Sequence, residues 1–155
     1  MAKPLIDYSP TPIAPSSLAG MATHGSEAQK KMVARHPNTP RQILQRLASD
    51  KLYAELVAAN PSADGRTLIC LYDADRTLAP LIAANPSCPA ALLIELADHE
   101  ADIVRASVAS NRNSPAALIQ NLALDDVDLV RTHAIRNKSC PEVGKIFASL
   151  LGTPS

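Results

Sequence analysis

The side chains best suited to chemistry in this chain are basic ones that recur in step. Lys30, Arg105 and Arg131 each stand six positions before a His or Asn (His36, Asn111, Asn137), and Ala54 and Ala79 hold the same place before Asn60 and Asn85. Such a column can track phosphates or acidic side chains of a partner. It can equally be internal, each guanidinium lying partly buried beside Val108 or Ala134 and bonding a neighbouring carbonyl or carboxylate. A second basic group, Arg35, Arg112, Arg136 and Lys138, falls at the far end of the same segments, where complementarity with a helix dipole accounts for it without a ligand. Lys30, Arg35, Arg105, Arg131 and Arg136 are therefore the candidate partner-binding residues.

Other chemistries find less footing. The carboxylates come in short groups, Asp73 with Asp75, then Asp98, Glu100 and Asp102, then Asp125, Asp126 and Asp128. A calcium loop needs alternating ligands with Gly at its sharp turn, which "DHEADI" and "LDDVDL" lack, so helix capping is the expected role. His24, His36, His99 and His133 have no metal-ligand spacing, and Cys70, Cys88 and Cys140 form no CxxC pair. Cys88 and Cys140 read as small residues before a helix. Cys70 shares its column with Arg46, Glu95 and Asn121 and is expected to be exposed and open to modification. With no Ser-His-Asp arrangement, Gly-rich phosphate loop or paired carboxylates in view, neither enzymatic activity nor a metal or cofactor is expected.

The columns exist because the chain repeats itself. A unit reads Asn-Pro-x-(Ser/Thr/Cys)-Pro, an apolar run, an acidic turn, a second apolar run and Asn again, as in "ANPSCPAALLIELADHEADIVRASVASNRNSPAALIQNLA". The first Pro column holds Pro12, Pro37, Pro61 and Pro86, then Arg112 and Lys138, at spacings of 25, 24, 25, 26 and 26 residues. The second holds Pro15, Pro40, Asp64, Pro89, Pro115 and Pro141. A Pro after Thr39, Cys88, Ser114 or Cys140 suits the first position of a helix, so a helix A is expected to start there. Its apolar residues follow at helical spacing: Ile43, Leu44, Leu47; Leu92, Leu93, Leu96; Leu118, Ile119, Leu122. A helix B then packs through Val33, Val57, Ile82, Val108 and Ala134, flanked by Ala34, Ala58, Ala83, Ala109 and Ile135. The terminal Asn carries donors and an acceptor, and a stacked ladder between units is its expected role. Units this short cannot bury an apolar face alone and must stack.

These residues resemble a known family. "VAANPSADGRTLICL", "VRASVASNRNSPAALIQNLA" and "VRTHAIRNKSCP" are similar to the repeat of the bacterial leucine-rich repeat variant proteins, and the resemblance runs from about Thr11 to Lys145. It implies an all-α fold, a right-handed α-solenoid of about five to six two-helix repeats in which α-helices alternate with 3₁₀ or short α-helices; periodicity leaves open which helix is the 3₁₀ one. The cysteine cluster that binds an iron-sulfur centre in one member has no counterpart here, since no Cys precedes Cys70. HEAT-like repeats are the nearest alternative, but their period of roughly 40 residues is too long.

Residues 1–10 are expected to form an extended arm, and 11–155 one helical-repeat domain with units starting near 12, 37, 61, 86, 112 and 138. Fifteen basic residues balance fifteen acidic ones, which argues against a generic nucleic-acid or anionic-membrane binder. The charges are uneven: residues 1–48 hold six basic and two acidic groups, 49–103 three and nine, and 104–155 six and four. No apolar run is long enough to span a bilayer, so no membrane partner and a cytoplasmic location are expected. Near the end, Ile146, Phe147, Leu150 and Leu151 stand where a solenoid needs a polar cap, and are expected to fold back or to form a homodimer contact. A non-enzymatic scaffold that binds a protein or peptide along a superhelical surface is the expected function. Nucleic-acid binding through the basic columns is the alternative, disfavoured by an aromatic content of 3%.

Overall fold

The computed structural model describes residues 13–150, and every regular element among them is helical. The helices are α1 (Pro15–His24), α2 (Glu27–Arg35), α3 (Arg41–Ala48), α4 (Lys51–Ala58), α5 (Gly65–Ala74), α6 (Ala79–Ala84), α7 (Ala90–Leu96), α8 (Asp102–Ser110), α9 (Ala116–Leu122), α10 (Asp128–Arg136) and α11 (Glu142–Leu150). Odd numbers are the helices A of the repeat and even numbers the helices B. Both are short α-helices. Among the described residues 3₁₀ geometry occurs only at Arg76–Leu78, ahead of α6. Pro80, which cannot donate to an α-helical turn before it, sits at the start of α6, so the segment begins as a tighter turn. The expected arm at 1–10 lies outside the described residues.

Successive even-numbered helices pack on one another, α2 on α4, α4 on α6, α6 on α8 and α8 on α10, while each also packs on the odd-numbered helix before it. Between the layers runs one continuous core. Leu44, Leu68, Leu93, Leu96 and Ile119 enter it from the odd helices, and Val33, Val57, Ile82, Val108, Ala134 and the column Ala34, Ala58, Ala83, Ala109 from the even ones, all without exposure. Leu118 and Ile135 are only partly buried against it.

The Asn column forms the ladder expected of it. The Asn85 carboxamide Nδ2 donates to the carbonyls of Ala58 (2.7 Å) and Asn60 (2.9 Å) in the preceding unit, and its Oδ1 accepts the backbone N–H of Ser87 (2.8 Å). Asn60, Asn111 and Asn137 repeat all three bonds on the same relative partners. One position outward, Ser62, Ser87 and Asn113 donate to the carbonyls of Pro37, Pro61 and Pro86. The Ala column has a reason in this geometry: the acceptors are Ala34, Ala58, Ala83 and Ala109, whose small side chains let the carboxamide reach their carbonyls.

The second Pro column meets the expectation at Pro15, the first residue of α1, and departs from it further on. Pro40, Pro89 and Pro115 are the N-caps of α3, α7 and α9, with ψ near 140° (138°, 144° and 144°), so each helix starts one residue later. The residue before them caps nothing downstream. Thr39 Oγ1 and Ser114 Oγ turn back to donate to the carbonyls of Val33 (2.7 Å) and Val108 (2.6 Å) in the last turn of the previous helix. Only Asp64 caps by its side chain, accepting from the N–H (2.9 Å) and Oγ1 (2.6 Å) of Thr67. The reason is proline's fixed φ with an extended ψ, which holds the cap conformation through the backbone and leaves the hydroxyl free to add a second donor to a carbonyl behind it that already accepts the N–H of His36 or Asn111.

Replacing Asn111 by Ala strips the Ala83 carbonyl and the Asn113 N–H of their partner and leaves the Asn85 carbonyl only the Cys88 N–H, and the expected loss is about 2–4 kcal/mol in urea unfolding. Asn111→Asp is expected to lose more at pH 7, because a carboxylate would face the Ala83 and Asn85 carbonyls, and the gap to Asn111→Ala should narrow as the pH falls and the new carboxyl is protonated.

Candidate functional site

The five candidate residues separate by environment. Arg105 projects from α8 into the turn between α9 and α10. Its Nε and Nη2 grip the Asp125 carboxylate at 2.8 and 3.1 Å, and its Nη1 donates to the carbonyls of His99 and Glu100, both at 3.0 Å. The side chain is 14% exposed and that of Asp125 is 9% exposed. This is a two-pronged ion pair between successive units, so Arg105 is occupied internally. Arg131, 16% exposed, repeats half of the pattern, its Nη1 on the carbonyls of Asp125 and Asp126 (2.9 Å each) and its Nη2 on Asp128 (3.1 Å). Its buried Nε has no hydrogen-bond partner. Arg105 finds its carboxylate twenty positions on; the same step from Arg131 leads to Leu151, which has no carboxylate and lies outside the described residues.

Burial by itself pushes the Asp125 carboxyl up, but hydrogen bonds from the Arg105 guanidinium and the Val127 N–H outweigh it and hold the group below the ordinary carboxylate value. A carboxylate with a depressed folded value stabilises in full above its unfolded value, about 3.9, and that contribution disappears as the pH falls through the folded one.

Two of the remaining acidic turns cap as expected, whereas in the turn holding Asp98, Glu100 and Asp102 no carboxylate caps α8. Asp50 accepts the N–H of Leu52 and Asp75 that of Thr77, both at 3.0 Å. Two histidines do the same work, a role the sequence did not show: His99 Nδ1 accepts the N–H of Ala101 (3.1 Å), and His36 Nδ1 that of Asn38 (3.2 Å), in the place of the Asn side-chain oxygen. Among the described residues no group of three His, Cys, Asp or Glu converges as a metal site, and no helix is long and apolar enough to cross a membrane.

Arg35 and Arg136 are exposed and, among the described residues, have no ion-pair partner, and the same holds for Arg112 and Lys138 of that basic edge; Lys30 is half-buried. Cations thus stand in the last turns of α2 and α10 (Arg35, Arg136) and just beyond the ends of α8 and α10 (Arg112, Lys138), while exposed Asp102, Asp126 and Asp128 lie in or just before the first turns of α8 and α10. Between the two edges runs an apolar row that sequence reading missed. Eight and four positions before the terminal His or Asn, the outward face of five successive even helices carries Met32 (41% exposed), Leu52, Leu81, Ile103 (52%) and Leu129. The period of the repeat would have shown it, had the columns opposite the core been aligned as well as those facing it.

Near α8 and α10 a groove of about 250 Å³ is lined by Ala84, Ile103, Ser107, Ser110, Asn111 and His133. In it Ser110 Oγ lies 2.7 Å from His133 Nδ1. The hydroxyl also lies 3.0 Å from the Ala106 carbonyl, to which it donates.

The thiols differ sharply. Cys88 and Cys140 are buried, and burial pushes Cys88 up to about 11 and raises Cys140, whereas Cys70 is exposed. Of the apolar group near the end, Ile146 and Leu150 are exposed on α11; Leu151 and the side chain of Phe147 lie outside the description.

No protein-family model matches the chain, and neither a curated protein nor a solved structure matches it.

Arg105→Ala is expected to lower stability by about 3 kcal/mol at pH 7, since it leaves the Asp125 carboxylate buried without its partner, and the deficit should shrink below about pH 4; urea midpoints across pH measure both. With a thiol-specific chromogenic reagent, one of the three cysteines should react rapidly in the native protein and the other two only on unfolding.

Proposed function

We propose that the units stack into a right-handed solenoid of the leucine-rich repeat variant type and that the protein is a non-enzymatic scaffold, binding a protein or peptide along the outward face of its even helices. The stacking reading is supported by the contacts between successive even helices and by the Asn ladder that joins one unit to the next in constant register. The even helices also pack along one another more closely than the odd ones, which supports a stack that curves with the even layer inside.

The observation that carries the binding reading is the exposed apolar row Met32, Leu52, Leu81, Ile103 and Leu129. Scattered surface leucines need no explanation, but an exposed apolar residue on each of five successive even helices, at one of two positions a helical turn apart, makes a patterned apolar face, the kind that marks interaction sites. Its lining also ranks nucleic acid second. The free cations Arg35, Arg112, Arg136 and Lys138 would suit phosphates, yet the carboxylates of Asp102, Asp126 and Asp128 border the same face and would repel a backbone that ran across it.

Panning a displayed peptide library on the intact chain tests this reading. Recovered peptides should bind the native protein and lose at least about tenfold in affinity against Leu81→Glu/Ile103→Glu, two exposed positions whose change leaves the core intact. Peptides indifferent to that variant, or tight salt-sensitive oligonucleotide binding with no peptide recovered, would reject it.

A further inference from the structure

The geometry points to an acidic amphipathic helix as the partner, seated across α8 and α10 with its apolar side on Ile103 and Leu129 and its carboxylates on Arg112, Arg136 and Lys138. This rests on the scaffold reading above and names the partner's chemistry. The groove lined by Ile103, Ser107 and His133 shares Ala84, Ser110 and Asn111 with a second groove, of about 230 Å³, that continues to Pro86 and Arg112. The two form one trough from apolar floor to cationic rim, and no carboxylate lines either part. The trough exists because the column before the terminal Asn holds Ala84 and Ser110, small side chains, where the first and last units hold Arg35 and Arg136.

Charge complementarity selects the partner's sign. Arg112, Arg136 and Lys138 are exposed and bonded to no carboxylate among the described residues. The other arginines of these units, Arg105 and Arg131, are paired internally, so the free cations are confined to the one rim. The exposed carboxylates Asp102, Asp126 and Asp128 on the opposite border would favour basic residues on the partner's other flank.

Spacing selects its conformation. Arg112 and Lys138 occupy one column in adjacent units and are separated by one helix-packing step, about 10 Å. Residues i and i+7 of an α-helix lie on one face about 10.5 Å apart, which matches that step. A β-strand repeats its face every second residue, at about 6.6 or 13 Å, and matches neither rim nor row. An apolar side wide enough to cover two columns is likewise what residues i, i+3, i+4 and i+7 of a helix supply.

The test uses the full chain and two synthetic 18-residue helical peptides, identical in their leucines, one with Glu at i and i+7 on one flank and the other with Lys there. Fluorescence anisotropy should show the Glu peptide binding with an affinity that falls as salt rises, and the Lys peptide at least tenfold weaker. Arg112→Glu/Arg136→Glu/Lys138→Glu should reverse that preference, and the neutral Arg136→Gln/Lys138→Gln, which spares the fold if the triple reversal disturbs it, should reduce it. Equal binding of the two peptides, or a preference that survives both variants, would overturn the inference. Should panned peptides still discriminate Leu81→Glu/Ile103→Glu in that case, the scaffold reading stands and only the acidic-helix assignment falls. Duplex DNA that competes for the rim and binds more tightly than the Glu peptide would also overturn it.

Discussion

A buried carboxamide with every hydrogen-bonding group satisfied is the constraint on which the rest of this structure depends. Each Asn of the ladder spends two N–H bonds on carbonyls of the preceding unit and its oxygen on the N–H two residues ahead. A unit shifted by one residue would bury a polar side chain and backbone groups without partners, at a cost well above the stability that a short helix pair can supply by itself. Register is therefore nearly all-or-none. The bonds need the backbones close together, and that accounts for the zero-exposure Ala column beside the Val and Ile that fill the core.

The opposite ends of the even helices are joined by other means, and differently along the chain. In the later units Arg105 bridges to Asp125, so two successive units share a buried charge pair. In the middle units, where Ala54 and Ala79 replace the basic residue, short caps by Asp50 and Asp75 close each turn within its own unit. A buried pair is sensitive to the loss of either partner, whereas a local cap is not shared. The repeat is thus uniform at the Asn edge and individual at the acidic edge.

The core faces inward and the ladder fixes the joints between units, so the solvent-facing sides of the helices are left to vary, that of the odd helices with Ile69 and Ile94, and so is the outward face of the even helices. The latter has done so in a patterned way, with apolar side chains along its middle, cations at one rim and carboxylates at the other. That layout is directional, since a partner laid across it in reverse would place like charges together.

The period, the two-helix unit, the core columns and the Asn ladder were all legible in the sequence, because each rests on side-chain types recurring at fixed spacing and needs no knowledge of distance. The capping of the odd helices was not: Thr39 and Ser114 look like caps for the helix ahead, and only the path of the chain shows that a carbonyl in the last turn of the helix behind them is nearer. The basic column was legible as a column but not in its meaning. Whether Arg105 faces a partner or Asp125 depends on where a turn twenty residues away is placed, and that is a matter of how units stack. The apolar row lay between these cases, present in the spacing of Leu52, Ile103 and Leu129 but separable from core residues only once burial was known. Local pattern and repeat register were determined by the sequence itself; tertiary structure decided which charged groups satisfy one another and which stay free, because electrostatic pairing depends on distances between units that no single unit contains.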